Sequence, residues 1–213
     1  MKTILFFGDS ITDCKRDRND ITSAGTGYPL LIKSHLGFEY PDQFDFINTG
    51  ISGNRIVDVY AAIKSRFINH APDYASILIG VNDVWHEISR CDGVSAPKFE
   101  KIYSMMIEEI KEALPDIKII LMAPFVLEGP ATEPDEACPN KFEIFKSEVA
   151  LRAEAVKRIA EKYDLELIEL QPVFDKACES APATYWLSDG VHPNPAGHEL
   201  IKREWLKAFD RIK

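Results

Sequence analysis

Residues 1–10 read MKTILFFGDS, and the order of these letters decides the fold. Ile4, Leu5, Phe6 and Phe7 make an unbroken apolar run that stops at Gly8 and gives way to Asp9 and Ser10. A strand with one face in water alternates apolar and polar residues, whereas a strand covered on both faces reads as a continuous apolar run. The run therefore predicts a buried strand of a parallel sheet, over residues 3–7. It is also too short to be the core of a signal peptide. Working outward, four similar runs follow, at 44–47, 75–79, 117–122 and 165–170. A parallel sheet of about five strands is expected.

Helical patterns fill the intervals. Ile56, Val59, Tyr60, Ile63 and Phe67 recur at helical spacing and stop before Pro72. A second pattern runs from 97 to 114 and puts Phe99, Ile102, Tyr103, Met106 and Ile110 on one face. A third spans about 141–163. The last opens at Asn194-Pro195, an N-cap followed by a first-turn proline, and carries Leu200, Ile201, Trp205 and Phe209. Strands alternating with helices require right-handed crossovers that lay helices on both faces of the sheet. The expected fold is an α/β protein, a three-layer α/β/α sandwich, with residues 1–213 as a single domain. The Pro-rich, acidic segment 128–140 reads as a surface loop, either shaping a cleft or simply solvated.

Composition narrows the function. The 213 residues carry a net charge of −9, which repels phosphate backbones and anionic lipid surfaces, so neither nucleic acid nor a membrane is an expected partner. No run approaches the ~18 apolar residues of a membrane-spanning helix. Cys14, Cys91, Cys138 and Cys178 are scattered without a C-x-x-C pair, as reduced thiols of a cytoplasmic protein are, and no zinc site is expected. A closed homo-oligomer is compatible with such a protein.

In an open parallel sheet the chemistry collects at the carboxyl ends of the strands. Here Gly8-Asp9-Ser10 ends the first strand, Asn48-Thr49-Gly50-Ile51-Ser52-Gly53-Asn54 follows the second, and Gly80-Val81-Asn82-Asp83 follows the third. A serine needs a base to take its proton and a third group to orient that base. Asp189 and His192 lie three residues apart on a turn constrained by Gly190 and Pro193, and can supply both. The catalytic candidates are Ser10, Asp189 and His192. Acyl transfer also needs donors for the developing oxyanion, and Ser10 N–H, Gly53 N–H and the Asn82 amide are the candidates. No metal or organic cofactor enters this chemistry.

Taken together the blocks FGDSITD, NTGISGN, GVNDVW and DGVHPNPAGH, in that order, resemble the SGNH or GDSL hydrolase superfamily. The resemblance extends from the first strand to the final helix. It implies a flavodoxin-like sandwich, a Ser10-Asp189-His192 triad and an oxyanion hole from Ser10, Gly53 and Asn82. Within that superfamily, GDSITDCKRDR followed by GTGY, NTGISGN, GVNDVWHE and ILMAPFVLEG is similar to bacterial intracellular acetylxylan esterases. That likeness implies removal of acetyl groups from short xylo-oligosaccharides, a small acylated substrate.

Other readings stay open. Asp9, Arg55 and Trp85 are candidate substrate contacts. Asp9 and Asp13 are also suited to bonding local backbone, Arg55 to starting a helix and Trp85 to core packing. His35, His70, His86 and His198 read as surface or structural residues. The same machinery could serve a lysophospholipid or thioester. A phosphatase or metal-dependent hydrolase built on Asp9, Asp13 and His192, and an inactive sugar-binding module, complete the alternatives.

Overall fold

The computed structural model describes all of residues 1–213. Strands β1 (Lys2–Gly8), β2 (Phe44–Asn48), β3 (Tyr74–Leu78), β4 (Lys118–Ala123) and β5 (Glu166–Glu169) form one sheet in the order β2-β1-β3-β4-β5. Every neighbouring pair is parallel. All five apolar runs named from the sequence become strands, with ends displaced by at most one residue. The fifth is cut to four residues because Leu170 already begins a helix.

The helices are α1 (Ser10–Asp13), α2 (Tyr28–Glu39), α3 (Ile56–Ala61), α4 (Ile63–Arg66), α5 (Val81–Arg90), α6 (Ala96–Ala113), α7 (Lys141–Tyr163), α8 (Leu170–Ala177), α9 (Ala183–Trp186) and α10 (Pro195–Ile212). Successive residues of β1 point to opposite faces and build two separate cores. Leu5 and Phe7 pack with Val59 of α3, Tyr103 and Met106 of α6 and Val156 of α7. Ile4 and Phe6 pack with Tyr28 and Ile32 of α2 and Trp205 and Phe209 of α10. This is the expected three-layer sandwich.

One helix differs from its sequence pattern. The stretch expected to be continuous from 56 to 67 is broken at Ala62, whose φ of −101° and ψ of 6° separate α3 from α4. Ile56, Val59, Ile63 and Phe67 are nevertheless all buried, so the apolar spacing is satisfied across the break. The helices α2 and α5 lack a signal among the sequence patterns. In α2 only Tyr28, Pro29, Ile32 and Leu36 are buried.

The strand order places β2 on one side of β1 and β3 on the other. The chain leaving β1 and the chain leaving β3 therefore diverge, and the carboxyl ends of these strands leave a crevice between them. The segments after β1, β2 and β3 meet at this rim.

Candidate active site

Gly8 ends β1 where space is tightest: a Cβ there would lie 2.2 Å from the Leu78 carbonyl oxygen. Asp9 follows as the N-cap of α1, its carboxylate accepting from Ile11 N–H at 3.0 Å. Ser10 is thereby fixed as the first residue of a short helix, half-buried at the rim.

Its partner comes from the other end of the chain. Ser10 Oγ lies 2.9 Å from His192 Nε2, and His192 Nδ1 lies 2.7 Å from Asp189 Oδ2. Asp189 Oδ1 also accepts from the backbone N–H of Val191 at 2.9 Å and of His192 at 2.7 Å. An ionised carboxylate accepts only, so the Nδ1 position carries the proton and Nε2 faces Ser10 with its lone pair. Burial alone would raise the Asp189 pKa, but the hydrogen bonds from His192 and Val191 outweigh it and bring the carboxyl down to about 2. Conversely the bond to Asp189 raises the His192 pKa above its ordinary 6.5, against the opposing effect of burial.

The turn is held from behind. Leu127 N–H donates to Gly190 O and Ala131 N–H to Asp189 O, both at 2.9 Å. Gly129 lies so close that a Cβ on it would be 2.5 Å from Gly190 N. Thr132, fully buried, donates to Leu127 O at 2.9 Å and accepts from Gly129 N–H at 3.0 Å. The start of the acidic loop is thus a buttress for the Asp189–His192 turn, while residues 133–137 are exposed.

Across the crevice, Gly53 adopts φ +86° with open space around its α-carbon, so conformation rather than crowding selects glycine there. Its N–H donates to no protein acceptor. Asn82 opens the first turn of α5 and sends one amide hydrogen to Asn54 O at 3.1 Å, which leaves its second N–H for the cleft it lines with Ser10 and Gly53.

Three polar residues hold this loop: Asp13, read from the sequence as bonding local backbone, and Asn48 and Asp83, to which the sequence assigns no role. Asp13 Oδ2 accepts from Ser52 N–H at 2.9 Å, from Ser52 Oγ at 2.8 Å and from Arg18. Asn48 donates to Thr12 O at 2.7 Å and accepts from Gly50 N–H at 3.0 Å. Asp83 accepts from Ile56 N–H, and burial pushes its carboxyl up to about 8. The only signal for them was position, since each lies inside or beside a quoted motif.

The candidate substrate contacts separate. Trp85 lines the cleft, its ring centroid 5.8 Å from that of His192 and 6.0 Å from that of Phe145, so it is at once cleft wall and packed side chain. Asp9 does not reach the cleft. It is 1% exposed and burial raises its carboxyl to about 7, because its place at the start of α1 turns it inward. Arg55 is also diverted: its guanidinium pairs with Asp58 at 2.9 Å and Asp92 at 2.6 Å, anchoring the start of α3. His198 is buried, accepts from Tyr28 N–H at 3.1 Å and so staples α10 to α2; its pKa falls to about 4 through burial. Its Nε2 lies 3.3 Å from Cys14 Sγ.

Residues 6–200 match the model of the GDSL-like lipase/acylhydrolase family. The chain belongs to this family. Like other GDSL-like acylhydrolases, it is a carboxylic ester hydrolase. A relative named acetylxylan esterase, from Geobacillus stearothermophilus, is 32% identical over 214 residues, covering 96% of this chain and 92% of the relative. The crystal structure of Axe2, an acetylxylan esterase from the same organism, aligns with a TM-score of 0.84 at 30% identity, over 97% of this chain and 93% of that one. An α/β hydrolase enzyme from the metagenome of Lake Arreo, Spain, aligns at 0.85 with 26% identity, over 100% of this chain and 96% of its own. No helix is long and apolar enough to cross a membrane.

Proposed function

We propose that this acylhydrolase is a serine esterase that removes acetyl groups from acetylated xylo-oligosaccharides through an acyl-Ser10 intermediate. The observation that carries the mechanism is the unbroken hydrogen-bond chain from Ser10 Oγ through His192 to Asp189. His192 Nε2 takes the Ser10 proton as Oγ attacks the ester carbonyl carbon, and Asp189 stabilises the imidazolium. The carbonyl oxygen becomes an oxyanion facing the N–H groups of Ser10 and Gly53 and the Asn82 amide. The tetrahedral adduct collapses, the C–O bond to the sugar breaks, and His192 returns its proton to the leaving oxygen. Water, deprotonated by the same imidazole, then attacks acyl-Ser10 and releases acetate.

Support for the substrate comes from the similarity to the acetylxylan esterase over nearly the whole chain. The four unpaired cysteines fit a reducing cytoplasm as the site of action.

The deciding experiment is acetate release from acetylated xylo-oligosaccharides by wild type and Ser10→Ala, beside hydrolysis of p-nitrophenyl acetate and of a long-chain ester. Acetate released by wild type and lost in Ser10→Ala is the expected result. Hydrolysis of activated esters alone would retain the serine mechanism and discard the sugar. Activity surviving in Ser10→Ala would reject the nucleophile.

A further inference from the structure

The space above Ser10 is divided. Ser10, Ser52 and His192 border two cavities, which share no other lining residue. The smaller, about 240 Å³, contains Gly53 and Asn82 and is walled by Trp85 and His86. The larger, about 530 Å³, lies toward α1 and the start of α10 and is bordered by Lys15, Thr26, Ser188, Pro193 and Pro195.

We infer that the larger lobe is the binding site for the alcohol portion of the ester, that it takes a hydroxyl-bearing ring, and that Lys15 is its main specificity residue. The inference rests on the serine-esterase reading above and follows from the tetrahedral carbon that reading requires. Besides the bond to Ser10 Oγ, that carbon carries the oxyanion, the acyl chain and the alkoxy group. The oxyanion must face Gly53 and Asn82, which belong to the smaller lobe. What remains of that lobe accommodates a short acyl chain against Trp85. The alkoxy oxygen must lie near His192 Nε2 to receive its proton, and the lobe with room for a bulky substituent is the larger one.

The chemistry of the larger lobe fits a sugar. Lys15 is exposed and joins no carboxylate in an ion pair, so its three N–H donors are available to ligand hydroxyls. Ser188 Oγ, whose hydrogen goes to His192 O at 3.2 Å, adds an acceptor, and the rings of Pro193 and Pro195 offer apolar surface to the C–H groups of a sugar ring. The backbone that presents Lys15 is itself unusual. Cys14 and Lys15 are consecutive non-glycine residues in the left-handed region, at φ 36° and φ 61°. Such conformations persist only where the surroundings over-determine them. Here Thr26 N–H donates to Cys14 O at 2.8 Å and Arg16 N–H to Asp13 O at 2.9 Å, so the turn is clamped from both sides.

The test compares kcat/KM for an acetylated xylo-oligosaccharide with that for methyl acetate, whose alcohol portion carries no hydroxyl or ring for Lys15 to recognise. Two variants are used, Lys15→Ala, and Ser188→Leu to fill the lobe. The ratio of sugar ester to methyl acetate is expected to fall roughly tenfold or more in each, as loss of a charged hydrogen bond or of ligand volume requires. Lys15→Arg should recover part of it. A ratio equal to wild type in both variants, or equal losses on both substrates, would overturn the assignment. If wild type cleaves methyl acetate and glyceryl triacetate but no acetylated sugar, the substrate proposed above is rejected. The triacetate-to-methyl-acetate ratio then reads the lobe in the same way, with the same fall expected.

Discussion

Asp189→Asn is the sharpest perturbation of the proposed mechanism because it changes one atom's hydrogen-bonding sense and little else. Asp189 uses Oδ1 for the N–H groups of Val191 and His192 and Oδ2 for His192 Nδ1. An asparagine can keep its oxygen on the two backbone donors, so the turn survives. Its amide nitrogen then faces Nδ1 and carries hydrogens, as Nδ1 did. The two donors are reconciled when the imidazole moves its proton to Nε2, where it points at Ser10 Oγ and removes the base. The expected loss in kcat is about 10⁴-fold, equivalent to ~5.4 kcal/mol of barrier. Steady-state hydrolysis of p-nitrophenyl acetate measures the loss, and thermal unfolding of the same preparation checks that the turn is intact. A fully folded variant with kcat within tenfold of wild type would refute the tautomer argument.

Asn82→Ala removes one oxyanion donor and should cost roughly 10²- to 10³-fold in kcat with KM little altered, measured on the same ester. The pH profile tests His192: it must be neutral to act as base and its pKa is raised, so kcat/KM should fall as pH drops through a midpoint above 6.5. Burial raises the Asp9 carboxyl to about 7, so its charge is present only toward the upper end of the His192 titration; Asp9→Asn removes it and should lower the midpoint modestly, and a raised midpoint would contradict the coupling. Trp205→Ala empties a fully buried site stacked on Phe209 at 4.9 Å and should lower stability by about 3–5 kcal/mol in urea unfolding, with a loss under about 1 kcal/mol counting against the packing argument.

The strands were legible because a sheet covered on both faces writes itself as short, nearly continuous apolar runs. Ser10, Gly53, Asn82, Asp189 and His192 could be nominated because each sits where a strand ends or a turn is constrained, and the structure brings them to one rim. The break at Ala62 was invisible because the apolar spacing runs through it undisturbed. Arg55 pairs with Asp58 and Asp92 and Asp9 is buried, which no reading of neighbouring letters shows: proximity in sequence to a reacting group does not fix where a side chain turns. Asp13 shows the converse, since its bond to Ser52 spans 39 positions and no local pattern records it.

The hydrogen bond between Ser10 and His192 joins residues 182 positions apart. On the proposed mechanism a ribosome therefore delivers the nucleophile before β2 to β5 and its base only after all five strands have been made. Throughout synthesis the growing chain can fold strands and shield its core while remaining chemically inert, since Ser10 without His192 is an ordinary alcohol. Activity switches on when the segment carrying Asp189 and His192 reaches the rim and α10 docks beside α2. Esterase turnover in a coupled translation system would accordingly report completion of the fold, not its progress.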